Sequence, residues 1–166
     1  MLQAILDEMT GGFAVVDPTI SGARLLAAAF LAGAIGFERE RRGKAAGLRT
    51  HILVGTAACL FIVVGLELSQ LPFGRDGEMR IDPLRLIEAV TAGVAFLAAG
   101  LIFTANGKVK NITTGASMWL AGAVGLACGA GEVPLAAMAT VIVITVLVVL
   151  RWIERHFGFE QEAEGE

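Results

Sequence analysis

The stretch GFERERRGKAAGLRTH, Gly36 to His51, sets Arg39, Arg41, Arg42, Lys44 and Arg49, with Glu38 and Glu40, between two uncharged runs, Leu25–Phe37 and Ile52–Gly65. A helix needs ~20 nearly charge-free residues to cross a bilayer, so a short charged segment between two apolar runs marks a loop at a membrane surface. Three further runs, Leu86–Phe103, Ile112–Gly129 and Val133–Leu150, are nearly or wholly uncharged. The 166 residues are 55% hydrophobic with a mean hydropathy of +0.72, which exceeds what a soluble domain carries. The pattern predicts an all-α, polytopic transmembrane bundle of about five helices. They are Ile20–Arg41, Thr50–Leu68, Pro83–Phe103, Thr113–Gly129 and Val133–Arg155.

Residues 1–19 form an N-terminal segment in which Leu2, Ile5, Leu6, Met9 and Phe13 recur at helical spacing, as in an amphipathic helix lying on the membrane surface. Residues 20–155 form the transmembrane domain, and residues 156–166 an acidic, solvated tail. Lys and Arg cluster in the first connection, in the third at Lys108 and Lys110, and at Arg151 and Arg155. The other side holds Arg24, Arg75, Arg80 and Arg85, offset by acids. The positive-inside rule then places the N-terminus outside and the C-terminus in the cytoplasm.

The charged loop has internal logic. Glu38 with Arg42, and Glu40 with Lys44, are spaced i to i+4 in the order that supports a helix, which Gly43 would stop. Arg49 stands just before a helix, where the dipole disfavours a cation, so it calls for a local acid, a lipid phosphate or a partner protein. Glu38, Arg39, Arg42, Arg49, Lys108 and Lys110 make up a cytoplasmic basic face that suits anionic lipid or an acidic partner.

The sequence also repeats. GKAAGLRT (Gly43–Thr50) matches GKVKNITT (Gly107–Thr114) at a constant offset of 64, which also aligns Gly36 with Gly100, Ala34 with Ala98 and Ala28 with Ala92. This predicts two helical hairpins in parallel orientation plus one extra helix. The same offset pairs Arg24 with Glu88, and Glu67, Asp82 and Arg85 fall at the same level. Ionisable groups at that depth are costly unless paired or wet, so these five predict either an outer polar pocket or a packing network. The functional reading of the pocket is an ion- or proton-sensing site, with Asp82 and Glu88 the candidate ligands for a cation. No other cofactor is expected. The third and fourth helices are rich in small residues, including Gly125-x-x-x-Gly129, which predicts their close approach, while the fifth reads as lipid-facing. Cys59 and Cys128 read as small buried residues.

Other chemistry is missing from the sequence. Gly107-Lys108 lacks the upstream glycine of a phosphate-binding loop, and no zinc-protease motif or nucleophile elbow occurs. His51 and His156 are isolated, and His51 reads as a surface or interfacial residue. No enzyme is expected. A formal charge of −3 and a pI near 5.4 argue against a nucleic-acid partner.

The segments RLLAAAFLAGAIGFERERRGKAAGLRTHILVG (Arg24–Gly55) and DPLRLIEAVTAGVAFLAAGLIFTANGKVKNITTGASMWLAGAVGLACGAG (Asp82–Gly131) resemble the MgtC/SapB family of bacterial inner-membrane proteins. Its most specific pieces are the glutamate–arginine loop leading to GLRTH, the Asp82-Pro83-x-Arg85 opening and the KVKNITT loop. Glu38, Arg39, Gly47, Arg49, Thr50, Asp82, Arg85, Lys108 and Thr114 hold the matching motif positions. The resemblance implies a virulence-associated, multi-pass protein of magnesium homeostasis. It implies regulation by binding another membrane protein, with the F-type ATP synthase as the reported target. The alternative is a cation transporter or channel for Mg²⁺ or protons that uses the outer pocket. Association with a second copy of the chain is left open. The chain departs from the family at Ala89, often Gln, and at Ala95 and Ala98, often Gly. Many members carry a cytoplasmic ligand-sensing domain after the last helix. Because this sequence stops soon after Arg155, sensing through such a domain is not expected here.

The orientation is testable with single cysteines in a background lacking Cys59 and Cys128. Arg75→Cys is expected to react with an impermeant thiol reagent from outside, and Lys108→Cys only after the cytoplasmic side is opened; the reverse pattern would overturn the orientation.

Overall fold

The computed structural model describes residues 15–69, 82–105 and 107–157, together with residues 1 and 3. The expected amphipathic N-terminal helix, Arg75, Arg80 and the acidic tail therefore lie almost wholly outside the described residues. Five helices occur among those described: α1 (Pro18–Glu40), α2 (Leu48–Leu68), α3 (Pro83–Ala99), α4 (Ile112–Ala130) and α5 (Val133–Phe157). Between α3 and α4 a small hairpin pairs β1 (Phe103–Ala105) with β2 (Lys108–Lys110), antiparallel, with Thr104 opposite Val109. Four of the helices, all but α3, are long and apolar enough to cross a membrane. At 17 residues α3 spans ~26 Å, the lower end of what a hydrocarbon core of ~30 Å admits.

Local chemistry sets most helix ends. Asp17 caps α1 by accepting the Thr19 N–H at 2.7 Å, and Pro18 supplies the first-turn φ. That hydrogen bond holds the Asp17 carboxyl below its usual range, so its contribution to capping is present above the ordinary carboxylate pKa and fades as pH falls through the lowered one. Asp82 caps α3 in the same way through Leu84 N–H at 2.9 Å, with Pro83 following. At its far end α4 closes in a Schellman motif: Gly131, at φ 92°, donates to the Cys128 carbonyl, and Glu132 donates to that of Ala127.

Two expectations change. The third helix was expected to run to Phe103, but it stops at Ala99 and the chain turns into β1. Alternation in Phe-Thr-Ala and Lys-Val-Lys suits strands, and Asn106-Gly107 is a strong hairpin signal that the apolar run concealed. The close approach expected between the third and fourth helices is present, with the Ala98 carbonyl against Gly115, but the Gly125-x-x-x-Gly129 pair serves a different contact. Gly125 and Gly129 face α2, where a Cβ at 125 would collide with the Gly55 backbone and one at 129 would meet the Cys59 carbonyl at 2.7 Å. α3 itself packs mainly on α4, as expected, through Val94 against Gly122, and only lightly on α2.

The core is a three-helix contact among α1, α2 and α4, with Ala28, Ile35, Cys59, Val124 and Cys128 buried within it. Both cysteines are free and buried, in keeping with the sequence reading. α5 lies against α1 and α4 through Ala136 and Thr140 and leaves most of its surface exposed, as a lipid-facing helix should. The repeat is visible: adding 64 to the first residue of α2 gives the first residue of α4, and Gly43 (φ 62°) and Gly107 (φ 73°) both turn the chain in the left-handed region.

Gly125→Leu should cost at least ~2 kcal/mol by overpacking, whereas Gly93→Ala, whose Cβ would meet nothing within 4 Å, should be close to neutral. Denaturation of the two variants in mild detergent distinguishes them, and equal stability would refute the proposed contact.

Candidate functional site

The first connection and the β-hairpin share one end of the bundle with the N-termini of α2 and α4. Gly36 sits so close to α2 that a Cβ there would meet His51 Cβ at 2.7 Å and the Gly47 carbonyl at 2.9 Å. This contact brings the last turn of α1 directly over the first turns of α2 and α4. Arg39 is thereby buried, and its Nη2 donates to Thr114 Oγ1 at 2.8 Å. Glu38, also buried, pairs with Arg42 as its i to i+4 spacing predicted. Glu40 does something different from the expected pairing with Lys44. Its Oε2 accepts the Leu48 N–H at 2.7 Å and so caps α2, because Gly47 has no side chain with which to do so.

His51 corrects the sequence reading: it is fully buried and not interfacial. Its Nδ1 lies 2.8 Å from the Gly47 carbonyl and its Nε2 lies 3.2 Å from Ser117 Oγ. Ser117 Oγ is also 2.9 Å from the Thr114 carbonyl. The serine has a single proton to give. If it donates to Thr114, both ring nitrogens of His51 must carry protons to serve Gly47 and Ser117. If the ring is neutral with its proton on Nδ1, Ser117 turns its own proton to Nε2 and leaves the Thr114 carbonyl. The chain Arg39–Thr114–Ser117–His51–Gly47 therefore links α1, α4, α2 and the connecting loop through hydrogen bonds that shift with one proton.

Of the expected basic face, then, Glu38 and Arg39 are interior, Arg42 is half-buried beside Glu38, and Arg49, Lys108 and Lys110 are exposed. Arg39 Nε has no hydrogen-bond partner among the described residues. A buried guanidinium is expensive to hold without partners, and charge-assisted bonds offset much of that cost. Sequence reasoning found Arg39 and Thr114 as loop residues but missed Ser117 and the depth of His51. The available signal was the i, i+3 pair Thr114–Ser117 on an otherwise small-residue helix.

The five residues of the expected outer pocket lie at the opposite end. Arg24 donates from Nη1 to the Gly129 carbonyl at 2.7 Å, tying α1 to the end of α4. Glu67 accepts from the backbone of Val15 and Val16 at 2.9–3.2 Å, which holds the entry to α1 against α2. Asp82, Arg85 and Glu88 are exposed on the first turns of α3 and form no ion pair with one another among the described residues. Among those residues no group of three His, Cys, Asp or Glu side chains is placed to hold a metal ion.

The MgtC family model matches residues 25–156. The chain is 39% identical over 152 residues to a protein of Brucella abortus (strain 2308) named "Protein MgtC", covering 91% of this chain and 60% of that one. It is 39% identical over 126 residues to the Escherichia coli (strain K12) protein named "Putative magnesium transporter YhiD", covering 76% of this chain and 58% of that one. A "Protein MgtC" of Salmonella choleraesuis (strain SC-B67) is 35% identical over 143 residues, 86% of this chain and 58% of the relative. The chain thus spans less than two thirds of the length of these relatives. No solved structure matches it.

A double-mutant cycle tests the buried cluster. Thr114→Val should destabilise by ~2–3 kcal/mol by stranding a buried charged donor. Adding Arg39→Met should recover part of that loss, giving a coupling of at least ~1 kcal/mol. Strict additivity in detergent unfolding would mean the pair does not interact.

Proposed function

The chain belongs to the MgtC family, and from that premise we propose that it is a non-enzymatic regulator in a bacterial inner membrane that acts by binding another membrane protein. The N-terminus faces outward and the C-terminus the cytoplasm, which puts the Arg39–Thr114–Ser117–His51 cluster and the exposed cations of Arg49, Lys108 and Lys110 at the cytoplasmic end. The partner is one that the cell throttles under magnesium limitation or acid stress; the F-type ATP synthase, named by the family resemblance, fits. Mg²⁺ or a proton enters as a signal and not as cargo.

The observation that carries this reading is the closed interior. Between the polar cluster at one end and Arg24 at the other, the buried positions Ala28, Ala32, Ala58, Cys59, Ala121 and Val124 are apolar, the hydroxyls of Thr56 and Thr140 are the buried polar groups among the described residues there, and α2 and α4 touch backbone to backbone at Gly55 and Gly125. A conducting path needs polar or wet groups through the midplane. The described interior offers a proton-dependent polar cluster at one end, which suits a switch better than a route. Transport of a cation is the second reading, favoured by the name of the Escherichia coli relative.

Purification of the tagged chain from native membranes after cross-linking should recover the partner, and Arg39→Gln should lower that yield at least ~5-fold, a loss of about 1 kcal/mol of association. If the pure chain in liposomes instead moves Mg²⁺ down its gradient, and Asp82→Asn or Glu88→Gln abolishes the flux, the regulatory reading falls and transport takes its place.

A further inference from the structure

The first turn of α2 carries His51, and the last turn of α1 lies over it at Gly36, so the ring is fully buried. The Gly47 carbonyl can only accept, so Nδ1, 2.8 Å away, carries a proton. The proton on Nε2, 3.2 Å from Ser117 Oγ, is what varies. In a neutral ring Nε2 accepts the Ser117 proton. In a charged ring Nε2 donates to Ser117, which then donates to the Thr114 carbonyl 2.9 Å away. Both forms satisfy the hydrogen bonds of the ring, so charge decides between them.

The surroundings oppose a second buried cation. α1 brings Arg39, which also meets Thr114, at 2.8 Å. The carboxylates of α1 are engaged elsewhere, Glu38 with Arg42 and Glu40 with the Leu48 N–H. The first connection adds Arg41 and Lys44, α2 adds Arg49, and the hairpin before α4 adds Lys108 and Lys110. α4 has no titratable side chain before Cys128, and α3 has none after Glu88. α5, which packs on α1 and α4, carries Arg151 and His156 near this end. Both α2 and α4 begin here, so the positive ends of two helix dipoles add to these charges. A cation enclosed among them without a counter-charge is costly, whereas water solvates it. The ring is therefore neutral in the closed arrangement, and a proton on it favours one in which water reaches it.

We propose that His51 is a proton switch: when neutral it seats the last turn of α1 on α2 and α4, and when protonated it releases that turn and brings Glu38 and Arg39 to the surface. The release occurs at Gly36, because that contact covers the ring. The backbone contact of Gly55 with Gly125 lies deeper and holds the helices together. This deepens the regulatory reading and rests on it for the consequence. In the proposed orientation the ring responds to cytoplasmic pH, and Arg39 joins the surface offered to the partner.

The test uses the full chain in nanodiscs with no partner present and with Cys59 and Cys128 replaced by alanine. Spin labels are placed at Arg41→Cys, at the end of α1, and at Thr113→Cys, on the first turn of α4, both exposed positions. Pulsed EPR should find the distance between them ~5 Å longer at pH ~5.5 than at pH ~7.5, a displacement of about one helical turn. His51→Gln, which cannot be charged, should keep the short distance at both. His156→Gln, which removes the other histidine, should respond like the parent. Should His51→Gln fail to fold, NMR of the ring nitrogens in the His156→Gln chain reads the switch in its native cluster. The proton should sit on Nδ1 alone at pH ~7.5, and the second should arrive over the range in which the distance changes. A constant distance, whether or not the ring becomes charged, would overturn the proposal. So would a response that survives in His51→Gln or is lost in His156→Gln, or a neutral ring protonated on Nε2. These readings need no partner, so their failure leaves partner capture standing. Loss of partner capture with the pH response intact sinks the regulatory reading alone.

Discussion

The carbonyl of Gly55 occupies the space that any side chain at position 125 would need. This backbone contact sets the distance between α2 and α4, and most of the remaining geometry follows. In lipid there is no hydrophobic drive to bring helices together, so close packing and interhelical polar bonds must do it. Gly129 against Cys59 continues the seam by one turn, and Ala32 meets Gly55 from α1. With the three helices drawn in, Arg39 has no room to reach solvent and meets Thr114 instead.

The buried polar cluster is the price of that closeness and also its orientation device. A guanidinium, an imidazole and two hydroxyls are costly in an apolar interior unless each finds a partner. Here the partners come from three helices and the loop, so α1, α2 and α4 can satisfy them in few relative positions. A change in the proton on His51 would redistribute the donors. The opposite end is held differently. Arg24 and Glu67 spend their charge on backbone groups of Gly129, Val15 and Val16, tying element ends together.

The repeat shows how two copies of one hairpin have diverged. Glycines 43 and 107 turn the chain in the same left-handed conformation, yet the first copy makes a tight turn capped by Glu40 and the second a short β-hairpin. His51 in the first copy corresponds to Gly115 in the second. The first pair of helices packs closely around the imidazole, and in the second Gly115 lets Ile102 and the Ala98 carbonyl approach α4. The copies no longer pack alike, and α3 is left at the margin, touching α2 lightly.

Sequence alone determined the class of the molecule: apolar runs of spanning length, loops carrying Lys and Arg, and a 64-residue repeat are one-dimensional signals set by local chemistry and by the bilayer. It also marked Arg39 and Thr114, through their motif positions, without saying that they touch. The tertiary structure decided which glycine faces which helix, because small residues are spread over every side of α4 and only packing selects among them. It decided the burial of His51, since a residue at a helix start is exposed or enclosed according to what lies above it, and here α1 lies above it through Gly36. It also decided the end of α3, where hydropathy continues to Phe103 but strand pairing across Gly107 takes the last residues away from the helix.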